Sequence, residues 1–272
     1  MAPVLRLIRA PNLVIAGAGV LAGGWIALGR FAAPKELVFA ALSGMALGAV
    51  GNTWNDIRDV VADRVNRPQR PLAAGQVSRG MADLIVFDGA LLGLGCAALV
   101  SGPQVIAAVA ALAVMLMYSP LLKPRPLLGN VAVAVVAGSP PFYGALALGV
   151  PAAGIVPWVL AAWLHLVREV VKDVEDEPGD RAIGRRTLPI VAGRRPALVV
   201  AAGIALLFVP ASLLLPRNDG YGAAYFFIAL FAQLAMLIAA TWLLLGRVDR
   251  VSTLLKGAMV VGLVALVAGK VA

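Results

Sequence analysis

The chain contains only one cysteine, one histidine and few charged residues. Cys96 on its own can form neither an internal disulfide nor a cysteine-based metal site. Charged residues make up 14% of the 272 residues and hydrophobic residues 61%, whereas about a quarter of the residues in a soluble domain are charged. The scarcity of charge therefore excludes an ordinary soluble domain and indicates an integral membrane protein.

Long apolar runs fill most of the sequence. About 20 apolar helical residues cross a bilayer core of about 30 Å, and windows of this kind predict an all-α membrane bundle of about nine transmembrane helices. Gly102-Pro103 is the only punctuation between the third and fourth of these helices. The predicted spans are 12–29, 37–55, 83–101, 104–118, 128–149, 154–172, 196–215, 223–245 and 254–271.

The basic residues are distributed unevenly between the predicted loops. The net charge is +9, but no nucleic-acid motif or aromatic-interleaved basic patch accompanies it, so we expect no nucleic-acid partner. With a cytoplasmic N-terminus, all but four of the 23 Lys and Arg residues fall on the cytoplasmic side, which agrees with the positive-inside rule. The sequence thus predicts a multi-pass protein of the cytoplasmic membrane in this orientation.

Nine of the fourteen carboxylates are concentrated in two short stretches, residues 55–63 and 169–180. Acidic residues are costly near a bilayer and persist there mainly for a function. The first stretch follows the second predicted span and the other follows the sixth, so we expect both on the cytoplasmic face, where they can form one site. The alternative is that both are ordinary solvated loops.

The spacing within each stretch predicts a stripe of polar oxygen atoms along one face of a helix. The first stripe comprises Asn55, Asp59 and Asp63, and the second comprises Glu169, Asp173, Asp176 and Asp180. Pro178-Gly179 predicts a helix break just before Asp180. Oxygen ligands without histidine or cysteine favour Mg²⁺, which completes its coordination with water and phosphate oxygens.

Basic side chains accompany both stripes. Arg67 and Arg70 follow the first stripe in a loop stiffened by two prolines, and Lys172 lies within the second stripe. Arginine and lysine beside a Mg²⁺ site suit a diphosphate ligand, whose charge exceeds what the metal neutralises. For any one of these residues, the positive-inside rule is an alternative explanation.

Two further polar residues lie close to the predicted site. His165 precedes Glu169 by one helical turn, and Asn130 begins the fifth predicted span. Both are candidates for contact with a substrate headgroup. The alternatives are a hydrogen-bonded structural role for His165 and a helix cap for Asn130.

The polar segments resemble the motifs of the UbiA superfamily of intramembrane prenyltransferases. Residues 55–63, with the sequence NDIRDVVAD, are similar to the NDxxDxxxD motif of that family, and residues 66–71, NRPQRP, are similar to its NRPxRP motif. The positions of Asp176 and Asp180 match its second DxxxD motif. Residues 168–189 are most similar to the digeranylgeranylglyceryl phosphate synthase branch of the superfamily.

Residues 118–123 also resemble a motif of the family, with one difference in sequence. Tyr118 and Lys123 resemble the Tyr-Pro…Lys element of the family, although here Ser119 separates the tyrosine from Pro120.

The resemblance implies a single domain over residues 1–272, with the helices surrounding a central active-site cavity. It also implies Mg²⁺-dependent transfer of a prenyl group, geranylgeranyl in this branch, from its diphosphate to geranylgeranylglyceryl phosphate, forming an ether lipid. The implied catalytic residues are Asp59, Asp63, Asp176 and Asp180, and the implied metal ligands are these four with Asn55 and Asp173. The implied diphosphate ligands are Arg67, Arg70, Tyr118, Lys123 and Lys172.

Two alternatives stay open. The acceptor can be aromatic, as in quinone or tetrapyrrole synthesis, because motifs alone do not identify it. A membrane ion or lipid transporter can also use membrane carboxylates, but transport predicts polar residues through the middle of the membrane. Here the acids stop at the cytoplasmic ends of the predicted spans, and the DGxxAR…GxxxDxxxD signature of CDP-alcohol phosphotransferases is absent.

Overall fold

The computed structural model describes residues 2–123 and 125–271, and all regular secondary structure in these ranges is helical. This confirms the all-α prediction. The helices are α1 (Ala2–Leu7), α2 (Ala10–Leu28), α3 (Lys35–Asn66), α4 (Arg79–Ala98), α5 (Gly102–Met117), α6 (Leu128–Gly138), α7 (Pro140–Ala147), α8 (Ile155–Ala182), α9 (Leu188–Ala192), α10 (Arg194–Asn218), α11 (Ala223–Leu244) and α12 (Val251–Lys270). A π-helical turn (Tyr118–Leu122) extends α5, and a 3₁₀ turn (Pro151–Gly154) precedes α8.

Eight of the described helices are long and apolar enough to cross a membrane. The pair α6 and α7 makes a ninth span if it is counted as one, bent by 44°. The bend lies at Ser139, immediately before Pro140, which lacks the amide N–H that would continue the helical hydrogen bonding. The predicted count of about nine spans, with the fifth at residues 128–149, is therefore confirmed.

Helices α3 and α8 are much longer than their apolar windows. Each continues through its acidic stretch, so α3 ends at Asn66 and α8 at Ala182. The predicted helix break at Pro178-Gly179 is wrong, because Pro178 lies inside α8. Proline in a helix frees the carbonyl four residues earlier, and here the Val174 oxygen accepts a hydrogen bond from Arg194 Nη1 at 3.2 Å instead.

The helices pack around an internal cavity. One hydrophobic cluster joins α8 to α10, α11 and α12, and a second joins α2 and α3 to α7. Small residues allow close approach, as on α10, where Ala197, Ala201 and Ala205 are fully buried at successive turns. Large apolar side chains such as Ile106, Phe227 and Leu245 remain exposed on the outside, which suits contact with lipid rather than water.

Candidate functional site

The two acidic helices are joined directly at Asn66. Its Nδ2 donates a hydrogen bond to the Asp176 carbonyl at 2.8 Å, and its Oδ1 accepts one from the Gly179 backbone N–H at 2.8 Å. The helices are so close here that a Cβ on Gly179 would collide with the Ala62 carbonyl oxygen and the Asn66 side chain. Gly179 therefore permits, and Asn66 stabilises, the contact that places the two acidic stretches side by side.

Arg185 connects one acid from each stretch. Its guanidinium donates to Asp59 of α3 and, at 2.8 Å, to Oδ1 of Asp180 on α8. Burial lowers the pKa of Arg185, but the carboxylates of Asp59 and Asp180 raise it by more, so the pKa lies above its ordinary value. Asp59 has a second basic partner in Lys123, whose Nζ lies 2.7 Å from Oδ2. The two stretches thus form one charged site.

The arginines of the loop after α3 also bind both stretches. Arg70 Nη1 lies 2.7 Å from Oδ2 of Asp63 and 3.2 Å from Oδ1 of Asp56. Arg67 reaches across to α8, where its Nη1 lies 2.5 Å from Oδ1 of Asp176. Eight basic and acidic side chains of the site are less than one quarter exposed: Asp59, Asp63, Asp176, Asp180, Arg67, Arg70, Lys123 and Arg185.

A small polar recess lies between α3, α8 and the π-helical turn. It is lined by Asn55, Asp59, Arg70, Tyr118, Lys123, Glu169, Lys172, Asp173 and Asp176. Asn55 accepts a hydrogen bond from Ser119 Oγ at 2.6 Å, and Lys172 Nζ lies 2.9 Å from Glu169 Oε2. All of the lining residues except Glu169 have a predicted role as a metal or diphosphate ligand, so eight such residues face the same recess. Three other predicted ligands, Asp63, Asp180 and Arg67, do not line it.

Asn130 and His165 do not line this recess. Asn130 is the third residue of α6 rather than its cap, and its buried Nδ2 donates to Asp173 Oδ2 at 2.8 Å. The helix-cap alternative is therefore wrong. His165 lines the large cavity, and its buried Nδ1 has no hydrogen-bond partner in residues 2–123 and 125–271. The structure gives that atom no hydrogen-bonded structural role.

The large cavity adjoins the recess and has a volume of about 360 Å³. Asn55, Tyr118, Glu169 and Lys172 line both spaces, so they form the boundary between them. Most of the remaining lining is apolar or small and comes from α2, α3, α5, α6, α8 and α12. A molecule with a charged head and a hydrocarbon tail can place the head in the recess and the tail in this cavity.

The donor atoms of the site fit Mg²⁺ bound together with phosphate. Within the described residues, no three acidic, histidine or cysteine side chains converge as a preformed metal site, because Arg and Lys side chains pair with the carboxylates. Mg²⁺ on a phosphate ligand needs only one or two protein carboxylates. Asp180 Oδ2 is buried and has no hydrogen-bond partner in the described ranges, so this oxygen is free to act as a ligand.

Sequence reasoning gave no role to three residues that organise the site. These residues are Arg185, Asn66 and Arg9. Arg9 in fact lies 2.6 Å from Asp56, and it adopts a left-handed conformation with φ of 55°. The placement of Arg185 five residues after Asp180 was the one available signal, since that spacing allows a local ion pair.

The chain is similar in sequence and in fold to known membrane proteins. The sequence profile of the UbiA prenyltransferase family matches residues 16–263. The digeranylgeranylglyceryl phosphate synthase of Thermococcus gammatolerans is 38% identical over 250 residues, which cover 90% of this chain and 88% of that protein.

Two solved structures share the fold. One, from work on a digeranylgeranylglyceryl phosphate synthase in membranes, has a TM-score of 0.78 at 26% identity and covers 99% of this chain and 98% of its own. The other, a UbiA homologue from Archaeoglobus fulgidus bound to GPP and Mg²⁺, has a TM-score of 0.66 at 19% identity and covers 98% of both chains.

Proposed function

Because this chain belongs to the UbiA prenyltransferase family, it is a multi-pass membrane prenyltransferase, and we propose that it makes an ether lipid. The donor is geranylgeranyl diphosphate and the acceptor is geranylgeranylglyceryl phosphate. The reaction breaks the bond between C1 of the donor and the diphosphate oxygen. It forms a bond between C1 and the acceptor hydroxyl oxygen, and it releases diphosphate and one proton.

The observation that carries the proposal is the joining of the two acidic stretches beside an apolar cavity. Asp59 and Asp180 share Arg185, and Arg67 of the first motif pairs with Asp176 of the second. A diphosphate entering the recess would meet Asp59 and Asp176, one acid from each stretch, while the adjoining cavity of about 360 Å³ receives its hydrocarbon chain. The named relative supports the choice of an ether-lipid product.

Each acidic helix has oxygen ligands for one metal ion. Asn55, Asp59 and Asp63 would hold one Mg²⁺, and Asp173, Asp176 and Asp180 would hold the other. Bound Mg²⁺ neutralises negative charge on the diphosphate and makes it a better leaving group. In this proposal Asp59, Asp63, Asp176 and Asp180 are the catalytic acids of the site.

The basic residues hold the leaving diphosphate directly. Lys123 and Arg70 line the recess together with Asp59, and Arg67 pairs with Asp176, which also lines it. When the diphosphate enters, these cations can exchange a carboxylate partner for a phosphate oxygen, an interaction of the same charge-assisted kind. Tyr118 and Lys172, at the boundary with the cavity, lie where the diphosphate meets the prenyl chain.

The apolar cavity protects the reacting carbon from water. An allylic C1 that loses diphosphate develops positive charge, and water would capture it and give the free alcohol. Walls formed by side chains such as Val133, Leu160 and Leu164 exclude water from the prenyl chain. The positive-inside distribution supports a site open to the cytoplasm, where a soluble divalent cation is available.

A competition between acceptors tests this function. Purified protein with Mg²⁺ and labelled geranylgeranyl diphosphate receives both geranylgeranylglyceryl phosphate and 4-hydroxybenzoate. We expect the label in the glycerol lipid, with none in the aromatic acceptor. Labelling of 4-hydroxybenzoate alone would overturn the proposed acceptor, and the chain would remain a prenyltransferase of the same family.

A further inference from the structure

The cavity has a second group of positive charges, distinct from those around the recess. Arg9 before α2, Arg168 of α8 and Lys256 of α12 all line the large cavity, and none of them lines the recess. Arg168, Arg9 and Lys172 lie close enough to Lys256 to repel its ammonium group, and the weaker attraction of Glu175 does not offset them. We call Arg9, Arg168 and Lys256 the cationic cluster.

The charges of this cluster are incompletely balanced within the protein. Arg9 pairs with Asp56, and Arg168 Nη1 lies 3.2 Å from Glu169 Oε1. Each of these acids is shared, because Asp56 also binds Arg70 and Glu169 also binds Lys172. Arg168 Nε is buried and has no hydrogen-bond partner in the described ranges, and no ion pair of Lys256 is found there. The cluster therefore has capacity for a further anion.

The backbone at Arg9 is held in an uncommon conformation. Its φ of 55° is in the left-handed region, which a residue with a side chain adopts only at a cost. The guanidinium is positioned by Asp56 at 2.6 Å and Asn52 at 3.2 Å, and Asn52 also binds the Ile8 carbonyl at 2.9 Å. Strain of this kind, stabilised by surrounding contacts, is frequent at ligand sites.

We propose that the cationic cluster binds the phosphate of the glycerol lipid acceptor and so selects a phosphorylated acceptor. This inference rests on the proposed function. Guanidinium and ammonium groups from the turn before α2 and from two helices, α8 and α12, suit a phosphate, which carries up to two charges and accepts several hydrogen bonds. A neutral prenylated glycerol would bring no anion to balance the charge that Asp56 and Glu169 leave uncompensated in the cluster.

The position of the cluster agrees with the geometry of the reaction. In a prenylated glycerol phosphate, the phosphate and the accepting hydroxyl are on the same three-carbon unit. The acceptor phosphate must therefore lie close to the donor diphosphate without sharing its site. A phosphate in the cationic cluster meets both requirements. The cluster lines the cavity, the donor diphosphate lies in the adjoining recess, and the ion pair of Glu169 and Lys172 lines both spaces. The negative charge of Glu169 lies between the two anions and keeps their sites separate.

Lys256 offers the cleanest test, because it is exposed and its replacement leaves no buried partner without a counter-charge. Steady-state kinetics with geranylgeranyl diphosphate and Mg²⁺ would compare geranylgeranylglyceryl phosphate with the dephosphorylated alcohol. For Lys256→Gln we expect the acceptor KM to rise about 10- to 100-fold, the effect of losing one charge-assisted hydrogen bond. The donor KM and the activity with the alcohol should stay within about twofold, and Lys256→Arg should restore the acceptor KM.

Arg247→Gln is the matched control, since Arg247 is an exposed residue of the loop before α12 and does not line the cavity. It should leave both KM values unchanged. Equal rises in the donor and acceptor KM for Lys256→Gln would overturn the proposed phosphate site. So would an unchanged acceptor KM.

Wild-type protein provides a test that needs no variant. Glycerol phosphate should inhibit competitively against the lipid acceptor and not against the donor. Equal use of the phosphorylated and dephosphorylated acceptors would overturn the phosphate site and leave the ether-lipid function standing. Transfer to the aromatic acceptor alone would overturn the ether-lipid function, and the phosphate site with it.

Discussion

At the scale of single residues, the site is a set of buried charges that balance one another. Asp59 is only 4% exposed, and burying a carboxylate is costly unless basic groups compensate it. Lys123 and Arg185 provide that compensation from two different parts of the chain. The same cations can stabilise a diphosphate, so in the proposed function the pairing would preorganise the donor site before the substrate arrives.

Replacing Asp59 should therefore abolish catalysis. For Asp59→Asn we expect transfer to fall at least about 100-fold, because a proposed metal ligand and the partner of two buried cations are lost together. Labelled-prenyl transfer measures the effect, recovery of the variant in the membrane fraction shows that it is inserted, and size-exclusion chromatography in detergent shows that it is still folded. Asp83→Asn is the control, since Asp83 lies on the surface of α4 in an exposed pair with Arg79. Near-normal transfer by Asp59→Asn would refute the catalytic role.

At the scale of elements, the contact between α3 and α8 determines the site. Helical spacing predicted each polar stripe, and the basic residues beside them predicted an anionic ligand. The course of α8 beyond Pro178 could not be predicted, because the groups that satisfy its backbone come from elsewhere. Asn66 is 113 residues from Gly179 in sequence, and Arg194 belongs to α10. The local sequence shows that Pro178 lacks a backbone N–H, but it does not show which distant side chains bind the backbone groups of α8.

This contact makes Gly179 sensitive to the smallest added side chain. Gly179→Ala should destabilise the protein by about 1–3 kcal/mol, the usual cost of overpacking, and should reduce transfer because Asp176 and Asp180 flank the contact. Thermal unfolding in detergent and the transfer assay measure the two effects. Gly95→Ala provides the comparison, since a Cβ there meets no atom within 4 Å. Equal stability of the two variants would contradict the role given to the contact.

At the scale of the whole molecule, the distribution of charge predicts how the bundle is oriented in the membrane. Both acidic stretches, the cationic cluster and most basic loops lie on one side if the N-terminus is cytoplasmic. If the bent pair α6 and α7 counts as one span, the number of spans between the two acidic stretches is even, and both stretches lie on the same side. The length of the apolar windows predicted the number of spans, but only the structure shows that one of them is bent.

Cysteine labelling in sealed cells tests this orientation. Cys96 is buried, and Cys96→Ala gives a background without thiols. Arg247→Cys and Arg30→Cys each place one exposed thiol, in the loop before α12 and the loop after α2. A membrane-impermeant maleimide should label the second variant from outside and the first only after the cells are opened. The reverse pattern would contradict the orientation.

The central claim is that two distant acidic motifs form one metal-dependent diphosphate site. Binding of a non-reactive geranylgeranyl thiolodiphosphate, measured by calorimetry on purified protein, tests it most directly. We predict binding with Mg²⁺ that weakens at least about 100-fold with EDTA, and comparable weakening in Asp59→Asn and Asp180→Asn, since each variant removes ligands of one metal ion. Binding that is unchanged by EDTA, or that depends on one motif and not the other, would contradict the claim.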